Sequence, residues 1–596
     1  MEIRIKDRLN KFTEKISAHP LITAVILCSL VCLAALIFCD PKYETNDDFW
    51  VDAVLSGALS GKYDPHLLFS NILLGYLLAG IYSLIPNISF YFVMLEALGL
   101  ISMIAIVYLI LKHNRPGIGL LASFILIACF SNDLFILVQF TKTSAAAVAA
   151  GGFLFLEGIA NPDTKRKKTM AILGAVLFLF GSMLRFESIY SVILFLFIVF
   201  IALVWKKPFK VVATRFLLCV LLLGSAYGLT MVSRAIWAAD PSCAEFNQLN
   251  GYRVAVADVK HPEYEDYRSE FEAIGIDETD YEMINSWGFT DLGVFTPEKL
   301  SQASGIFNEY NSLSSDDISR TINSFIGQSY WFYASTLGML FISILYAASS
   351  RKSLFVMLSS ILACTAMLML FSYMYRTVYR VEYSVFFAAF AAIAVSIGLN
   401  PRKITISREI YGFIIAIGMV SMVIYQAGTY IPDNSYKTMR DEEYIDYIYD
   451  VFGSDGYVYP KYRAKISGRR YHETILSIIE NDDTNYYLID PLTIALINYD
   501  YKPWIRLDSG YFADNYYDLG GCLMMQYPGE NYVYEHNGID PVNPFSSFVD
   551  DNIYVIDSLY YNEKLDYIRN HYYPDAQMEL VGNVDGCLVW KYYIPE

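Results

Sequence analysis

Long apolar stretches alternate with short charged segments over roughly the first 430 positions of the chain. The membrane core offers no partner for an unpaired backbone amide, so stretches of about 20 apolar residues favour membrane-spanning helices. We predict eleven spans: 20–39, 88–111, 116–132, 134–158, 169–184, 188–205, 211–238, 328–348, 354–373, 382–399 and 408–428. The pattern therefore predicts an α-helical polytopic membrane protein.

One further apolar stretch, residues 66–85, is long enough to cross a bilayer. Counting it as a crossing would put either the N-terminus or every later basic loop on the unfavoured side of the membrane. Asn71, Gly75, Gly80 and Pro86 also weaken it as a straight helix. We therefore predict that it lies along or partly within the outer interface. The alternative is a twelve-span arrangement in which one basic loop breaks the charge rule.

Basic clusters orient the spans, because Lys and Arg accumulate in cytoplasmic loops. The clusters lie at 4–15, 112–115, 165–168, 206–210, 351–352 and 402–403. This orientation predicts a multi-pass protein of the plasma membrane with a cytoplasmic N-terminus. Three polar segments would then lie outside: a first outer loop, 40–87, a large outer loop, 239–326, and the C-terminal segment, 430–596.

The C-terminal segment changes from long apolar runs to short ones. Strand-like runs alternate there with helical patterns, at 441–452, 486–489, 553–556, 560–571 and 588–590. Short strands mixed with helices favour a small α/β domain. We therefore divide the chain into a transmembrane domain, 1–429, and an extracytoplasmic α/β domain, 430–596.

Composition narrows the classes of function. With 55% hydrophobic and 18% charged residues, the chain is unlike soluble globular proteins. The net charge of −17 must reside outside the apolar spans, which excludes nucleic acid as a partner. The 49 Tyr residues suit both the bilayer interface and sugar-stacking surfaces. Of the cysteines in polar regions, Cys243, Cys522 and Cys587, two could form a disulfide, and none has metal-binding spacing.

Two adjacent carboxylates, Asp47 and Asp48, stand just beyond the first span. One carboxylate there could deprotonate an acceptor hydroxyl at the membrane surface while a lipid phosphate departs. Neighbouring residues on an extended segment face opposite ways, so only one of the two can be the base. The simpler interpretation is an acidic turn in which Asp47 or Asp48 caps a helix that starts near Phe49.

Ionisable residues within or at the ends of the spans form a second candidate group, since charges there are costly unless they face a cavity or a partner. In the predicted topology they fall in the outer half of the bilayer: Glu96, Lys142, Arg185, Glu187, Arg234, Arg376, Arg380 and Glu382. A cationic cluster at that depth suits the phosphate of a polyprenyl carrier, because an Arg can hold two phosphate oxygens. The structural alternative is a set of ion pairs at helix ends, with Arg376 reaching to the interface.

His66, in Asp64-Pro65-His66, is a further candidate for binding a phosphate or a sugar. Metal binding by Asp47, Asp48 and Glu44 would need additional oxygen ligands that the spacing does not show. We predict no redox cofactor, and divalent metal dependence stays open.

The layout of these features resembles the GT-C superfamily of membrane glycosyltransferases, which includes protein O-mannosyltransferases and the aminoarabinose transferase of lipid A. Those enzymes have an acidic motif in the first outer loop, interfacial helices in that loop, and a long outer loop after span seven. Here the acidic element is Asn46-Asp47-Asp48. Asp64-Pro65-His66-Leu67 is similar to their His-Pro-Pro-Leu segment, with His and Pro reversed and the second Pro absent. The chain also resembles polytopic proteins of Gram-positive bacteria that end in an outer α/β domain and carry sequences like residues 285–291.

The resemblance implies an inverting transfer of a sugar from a polyprenyl-phosphate carrier to a glycan, lipid or protein acceptor of the bacterial cell envelope. Asp47 or Asp48 would be the base, and the lipid phosphate would be held by Lys142, Arg185, Arg376 and Arg380. One alternative is a lipid or glycan transporter or flippase, whose charges should be spread through the membrane depth. The other is a non-catalytic glycan-binding protein of envelope assembly.

Overall fold

The computed structural model describes residues 19–160, 164–312, 317–327, 334–347, 350–374, 378–395, 472–498, 501–521, 523 and 527–596. This part of the chain is mostly helical, with a sheet region near the C-terminus. The predicted span 408–428, the helical pattern at 441–452 and the domain boundary near 430 lie outside the described residues, as do Arg376 and Cys522.

The helices before residue 396 follow one another with few strands between them. In chain order they are α1 (Pro20–Phe38), α2 (Asn46–Ser56), α3 (Ile72–Leu84), α4 (Phe90–His113), α5 (Pro116–Phe135), α6 (Phe140–Ala160), α7 (Lys165–Leu184), α8 (Ser188–Val204), α9 (Phe209–Ala239), α10 (Pro241–Ala257), α11 (Arg268–Ala273), α12 (Glu278–Asn285), α13 (Pro297–Tyr310), α14 (Asp317–Gly327), α15 (Ala334–Ala347), α16 (Arg351–Tyr373) and α17 (Tyr379–Ala394). Two short strands, β1 (Lys42–Tyr43) and β2 (Leu137–Val138), lie among them.

Seven of the described helices are long and apolar enough to cross a membrane: α1, α4, α5, α6, α7, α9 and α16. Each overlaps a predicted span, although α6 begins at Phe140 rather than at 134 because β2 precedes it. Three other predicted spans overlap shorter helices, α8, α15 and α17, of 17, 14 and 16 residues. The stretch 66–85 contains only the 13-residue α3, which at 1.5 Å per residue rises about 20 Å, less than the roughly 30 Å of a bilayer core.

Helix α6 lies at the centre of the bundle and is buried along nearly its whole length. Its small side chains let α7 approach very closely. A Cβ on Gly151 would lie 2.4 Å from the backbone N of Phe178, and a Cβ on Gly174 would lie 2.4 Å from that of Phe155. Close backbone approach through small residues is a common way for helices to pack in membranes, where apolar burial adds little.

A five-stranded sheet with flanking helices forms the core of the C-terminal region. Its elements are α18 (Glu473–Glu480), β3 (Tyr486–Ile489), α19 (Pro491–Asn498), α20 (Tyr511–Asp514), β4 (Tyr516–Asp518), α21 (Pro528–His536), β5 (Ile553–Ile556), α22 (Tyr561–His571), β6 (Gln577–Val584) and β7 (Cys587–Tyr593). The strand order is β4-β3-β5-β7-β6, with β4, β3 and β5 parallel and the other pairings antiparallel. The strand-like runs at 486–489, 553–556 and 588–590 are therefore confirmed, as is the helix predicted at 560–571.

The three polar segments pack against one another. The backbone N–H of Gly510 donates to the carbonyl of Gly57 at 2.9 Å, which joins the C-terminal region to the first loop. The hydroxyl of Tyr567 donates to Asp291 at 2.9 Å, which joins it to the large loop. Segments far apart in the chain thus form one polar body beside the helical bundle.

Candidate functional site

A short strand pair places the carboxylates of the first loop against the bundle. Strands β1 and β2 run parallel, and the N–H of Glu44 continues the pairing by donating to the carbonyl of Val138 at 2.9 Å. Helix α2 then starts at Asn46, so Asp47 and Asp48 stand in its first turn, where the helix dipole favours negative charge. The helix starts earlier than predicted, and Thr45, not an aspartate, is its N-cap residue.

Asp48 is fully buried and connects three helices. Its Oδ1 accepts hydrogen bonds from the hydroxyl of Tyr91, at 2.9 Å, and from the backbone N–H of Phe140, at 3.0 Å. Thr45 donates to Oδ2 over 3.4 Å. Burial raises the pKa of Asp48 well above its ordinary value, although the hydrogen bond from Tyr91 acts in the opposite direction. Asp48 therefore ties α2 to the first turns of α4 and α6.

Asp47 has different surroundings. It is half-buried, and no other residue in the described part of the chain hydrogen-bonds to it or forms an ion pair with it. Its charge lies close enough to Arg185 to stabilise the charged guanidinium. Asp47 is thus the carboxylate of the pair that a substrate could reach.

Arg185 directly follows the last residue of α7 and lies beside the start of α6. Its guanidinium donates to the hydroxyl of Thr141 at 2.8 Å and lies over the ring of Phe140, 5.0 Å from the ring centre. The Nε atom is 3.8 Å from a carboxylate oxygen of Glu187, which is 59% exposed, so this predicted pair is loose. Burial, followed by the like charge of Arg380, lowers the pKa of Arg185. The positive charge of Arg380 therefore acts on Arg185.

Arg380 lies in the first turn of α17 and is half-buried. Among the described residues it forms no ion pair, so the alternative in which it pairs with Glu382 does not occur. Glu382 itself is buried on α17. The repulsion between Arg185 and Arg380 would be relieved by an anion placed between them.

Lys142 does not share this environment. It is 0% exposed, and its ammonium contacts Glu44 at 2.6 Å, Asp133 at 2.8 Å and the carbonyl of Leu137 at 2.6 Å. Tyr379 donates to the other oxygen of Asp133 at 3.0 Å. Two carboxylates thus neutralise the charge that was predicted to hold a phosphate.

In the described part of the chain, none of the remaining predicted residues forms a hydrogen bond or ion pair with Arg185 or Arg380. Glu96 is buried in α4 and accepts a long hydrogen bond, 3.8 Å, from the thiol of Cys32 in the first span. Arg234 is exposed on α9. His66 contacts Asp64 through Nδ1 at 2.6 Å and packs edge-on against Trp237.

Sequence reasoning missed several partners in this site. Thr141 and Tyr91 carry no charge and sit in apolar helices, so nothing local distinguishes them. Asp133 offered a signal, because it interrupts two apolar runs shortly before Lys142. An acid and a base this close in a membrane segment favour each other as partners.

Comparisons with protein-family models, with curated proteins and with solved structures found no match to this chain. The site must therefore be interpreted from its geometry. In the described part of the chain, no three His, Cys, Asp or Glu side chains are arranged to hold a metal ion. A half-buried carboxylate and two arginines whose charges act on one another, with the Thr141 hydroxyl bonded to Arg185, suit anion binding combined with proton removal.

Proposed function

We propose that the chain is a GT-C-type glycosyltransferase that moves a sugar from a polyprenyl-phosphate carrier to a glycan, lipid or protein acceptor of the cell envelope. The observation that carries this proposal is that Asp48, next to Asp47, accepts from the N–H of Phe140, while Arg185 lies over the ring of Phe140 and donates to Thr141. The charges of Asp47 and Arg380 both act on Arg185 there. A guanidinium pair binds phosphate oxygens, and a carboxylate beside it can take the proton of an attacking hydroxyl.

Asp47 is the general base in this proposal, and Asp48 is a positioning residue. A base must come within hydrogen-bond reach of the acceptor hydroxyl. Asp47 is half-buried and has no hydrogen-bond donor among the described residues, whereas Asp48 is fully buried and already accepts from Tyr91 and Phe140. Burial also raises the pKa of Asp48, because it disfavours the charged carboxylate.

Arg185 and Arg380 hold the lipid phosphate, with the Thr141 hydroxyl beside them. Lys142 stabilises the fold around the site and does not bind the phosphate, because Glu44 and Asp133 balance its charge. Arg376 keeps its predicted role in phosphate binding. The acceptor oxygen forms a bond to the anomeric carbon, the bond from that carbon to the phosphate oxygen breaks, and the acceptor proton passes to Asp47. Most of the catalysis is positioning.

The proposal includes the eleven-span topology with the polar segments on the outer face of the plasma membrane. Two observations support it. The first loop, the large loop and the C-terminal region contact one another, as segments on one face should. At the other end of the bundle, Glu157 contacts Lys112 at 2.5 Å and His113 at 3.0 Å, and it also pairs with Lys167. Basic residues of two predicted cytoplasmic loops thus lie together.

A lipid or glycan transporter is less well supported. A transport path needs ionisable groups through the depth of the membrane. In the seven long apolar helices the charged side chains lie within about two turns of a helix end, and Glu96 in α4 accepts a hydrogen bond from Cys32 of the first span. A purely glycan-binding assembly protein would tolerate replacement of Asp47 and Arg185. Substitutions at these two residues therefore distinguish that alternative from the proposed enzyme.

The test uses the purified full-length chain in lipid nanodiscs with a panel of polyprenyl-phosphate sugars, and release of the free lipid phosphate is measured. We expect Asp47→Asn to lower kcat by about 100-fold or more, since general bases contribute roughly 10²–10⁴. Asp48→Asn should retain most of the activity, and Arg185→Gln should raise the KM for the donor.

Lys168→Gln is the control, because Lys168 is exposed near the start of α7, whereas Arg185 directly follows the end of that helix. Full activity of Asp47→Asn would remove the base assignment. Failure of the wild-type chain to release lipid phosphate from any donor would contradict the proposed function itself.

A further inference from the structure

A second buried carboxylate, Asp52, lies one helical turn beyond Asp48 on α2. It accepts hydrogen bonds from the hydroxyls of Tyr43, at 3.1 Å, and Ser89, at 2.8 Å, and a third from Tyr82. These donors come from β1, α3 and the residue before α4. Asp52 thus fastens α2 to three neighbouring segments at one point, although nothing in the proposed chemistry uses it.

The bonds continue from Asp52 to the site. The hydroxyl of Tyr82 also accepts the backbone N–H of Tyr91 at 3.0 Å. That N–H belongs to the first turn of α4, where no carbonyl of the helix is in reach. The hydroxyl of Tyr91 in turn donates to Asp48. A continuous path therefore runs from Asp52 through Tyr82 and Tyr91 to Asp48, beside Asp47.

The C-terminal region reaches the same point through Arg506. Its guanidinium donates to the carbonyl of Ser56 at 2.7 Å, which is the end of α2, and to the carbonyl of Pro86 between α3 and α4. The guanidinium lies over the ring of Tyr63. Its positive charge lowers the pKa of Asp52, whereas burial raises that pKa. A cation is favoured at the C-terminal end of a helix. Arg506 thus joins the end of α2 to the segment that carries the donors of Asp52.

Aromatic packing supports the same contact. The ring centre of Phe49 lies 4.8 Å from that of Tyr501, and Trp50 lies at the same distance from Phe512. Both residues of α2 directly follow Asp48. Helix α2 is therefore held between the bundle on one side and the C-terminal region on the other.

We propose that Asp52 and Arg506 are positioning residues of the site, so that docking of the C-terminal region sets the orientation of the first turn of α2. This inference rests on the proposed function, in which Asp47 in that turn is the base. Misplacement of a reacting group by about 1 Å can cost roughly 100-fold in rate. Loss of Arg506 or Asp52 frees α2 to shift without altering any group that contacts the donor.

The test compares Arg506→Gln, Arg506→Lys and Asp52→Asn in the full-length chain with polyprenyl-phosphate sugars. We expect Arg506→Gln and Asp52→Asn to lower kcat by about 10- to 100-fold while the donor KM changes less than about 2-fold. Arg506→Lys should recover part of the rate, because it keeps the charge and loses the fork. Ser509→Ala is the matched control, since Ser509 crosses the same interface, donating to Gly61 at 3.0 Å, but lies outside the path.

A second measurement does not depend on turnover. Hydrogen exchange of the peptide containing Tyr91 reports the bond from its N–H to Tyr82. We expect faster exchange in Tyr82→Phe, Asp52→Asn and Arg506→Gln and unchanged exchange in Ser509→Ala. If the exchange responds in this way while the wild-type chain releases no lipid phosphate, the path stands and the proposed function fails. If exchange and kcat of Arg506→Gln match those of Ser509→Ala, the positioning role is overturned.

Discussion

Lys142 and Arg185 carry the same charge near the same end of the bundle, but their surroundings assign them different tasks. Lys142 contacts two carboxylates and a backbone carbonyl in a fully buried position. Arg185 instead pairs only loosely with Glu187, and the like charge of Arg380 acts on it. A cation balanced by two buried carboxylates adds little attraction for a phosphate, whereas like-charged guanidinium groups with only loosely paired carboxylates nearby attract it more. Residue type alone therefore does not identify the anion site.

Replacement of Lys142 tests this distinction. Lys142→Met should destabilise the chain by about 3–5 kcal/mol, because Glu44 and Asp133 would remain buried without their cation. Thermal unfolding in nanodiscs would measure the loss, with Lys168→Met at an exposed position as the control. A variant of unchanged stability with a raised donor KM would instead indicate direct phosphate contact.

Asp48 allows a similar comparison between two substitutions. Asp48→Asn keeps an oxygen that can accept from Tyr91 and from the N–H of Phe140, so its stability should stay near that of the wild type. Asp48→Ala leaves both donors buried and unsatisfied, at about 1–3 kcal/mol each. We expect the unfolding temperature to fall clearly only in the alanine variant. Equal losses in both would show that the charge, and not hydrogen bonding, matters at this position.

At the scale of elements, the length and contacts of α3 explain why the stretch 66–85 was ambiguous. Its composition suits a span, but the helix occupies only 13 residues. The preceding residues fold back over the helix, so that a Cβ on Gly75 would lie 1.9 Å from the carbonyl oxygen of Pro65. Asn71 caps its start by accepting from the N–H of Leu73. Asn71 and Gly75, which weaken the stretch as a straight span, thus serve in the cap and the packing of α3.

Two glycines of α3 make a matched pair for testing this packing. Gly75→Ala should destabilise the chain by about 1–3 kcal/mol through overpacking against Pro65. Gly80 has no neighbouring atom within 4 Å of an added Cβ, so Gly80→Ala should be neutral or stabilising by up to about 1 kcal/mol. Thermal unfolding of both variants provides the measurement. A tolerated Gly75→Ala would mean that the segment around Pro65 does not lie against α3.

At the scale of the whole molecule, contacts between the large loop and the C-terminal region complete the polar body. His571 contacts Asp280 through Nε2 at 2.7 Å, and the buried carboxylate of Asp291 accepts from Tyr567 and Tyr572. The hydrogen bond that His571 donates to the carboxylate of Asp280 raises the pKa of His571 above its usual 6.5. We therefore expect the docking of these two segments to depend on pH.

The sign of this dependence follows from linkage. Because the folded protein binds the proton of His571 more tightly, the pair contributes its full stability below pH 6.5 and loses it as pH rises through the raised pKa. We expect the wild-type unfolding temperature to fall relative to that of His571→Gln between about pH 6 and pH 8. Parallel pH profiles for the two proteins would contradict a contribution from the charged pair.

Local patterns were sufficient for the elements whose length and periodicity are written in neighbouring residues. The long apolar runs correspond to seven candidate spans, and the β-rich runs at 486–489 and 553–556 are strands β3 and β5. The adjacent acids Asp47 and Asp48 could also be singled out, because charged residues just beyond an apolar run are conspicuous. Which of the two acts as the base could not be decided from the sequence.

Long-range packing was needed to assign partners. The pairing of β1 with β2 involves two residues on each strand, too few to leave a pattern, yet it brings Glu44 to Lys142 and Asp48 to the start of α6. Burial then separates Asp48 from the accessible Asp47. Electrostatic roles depend on distance and desolvation, which arise only when distant segments meet, so they cannot be read from residue spacing.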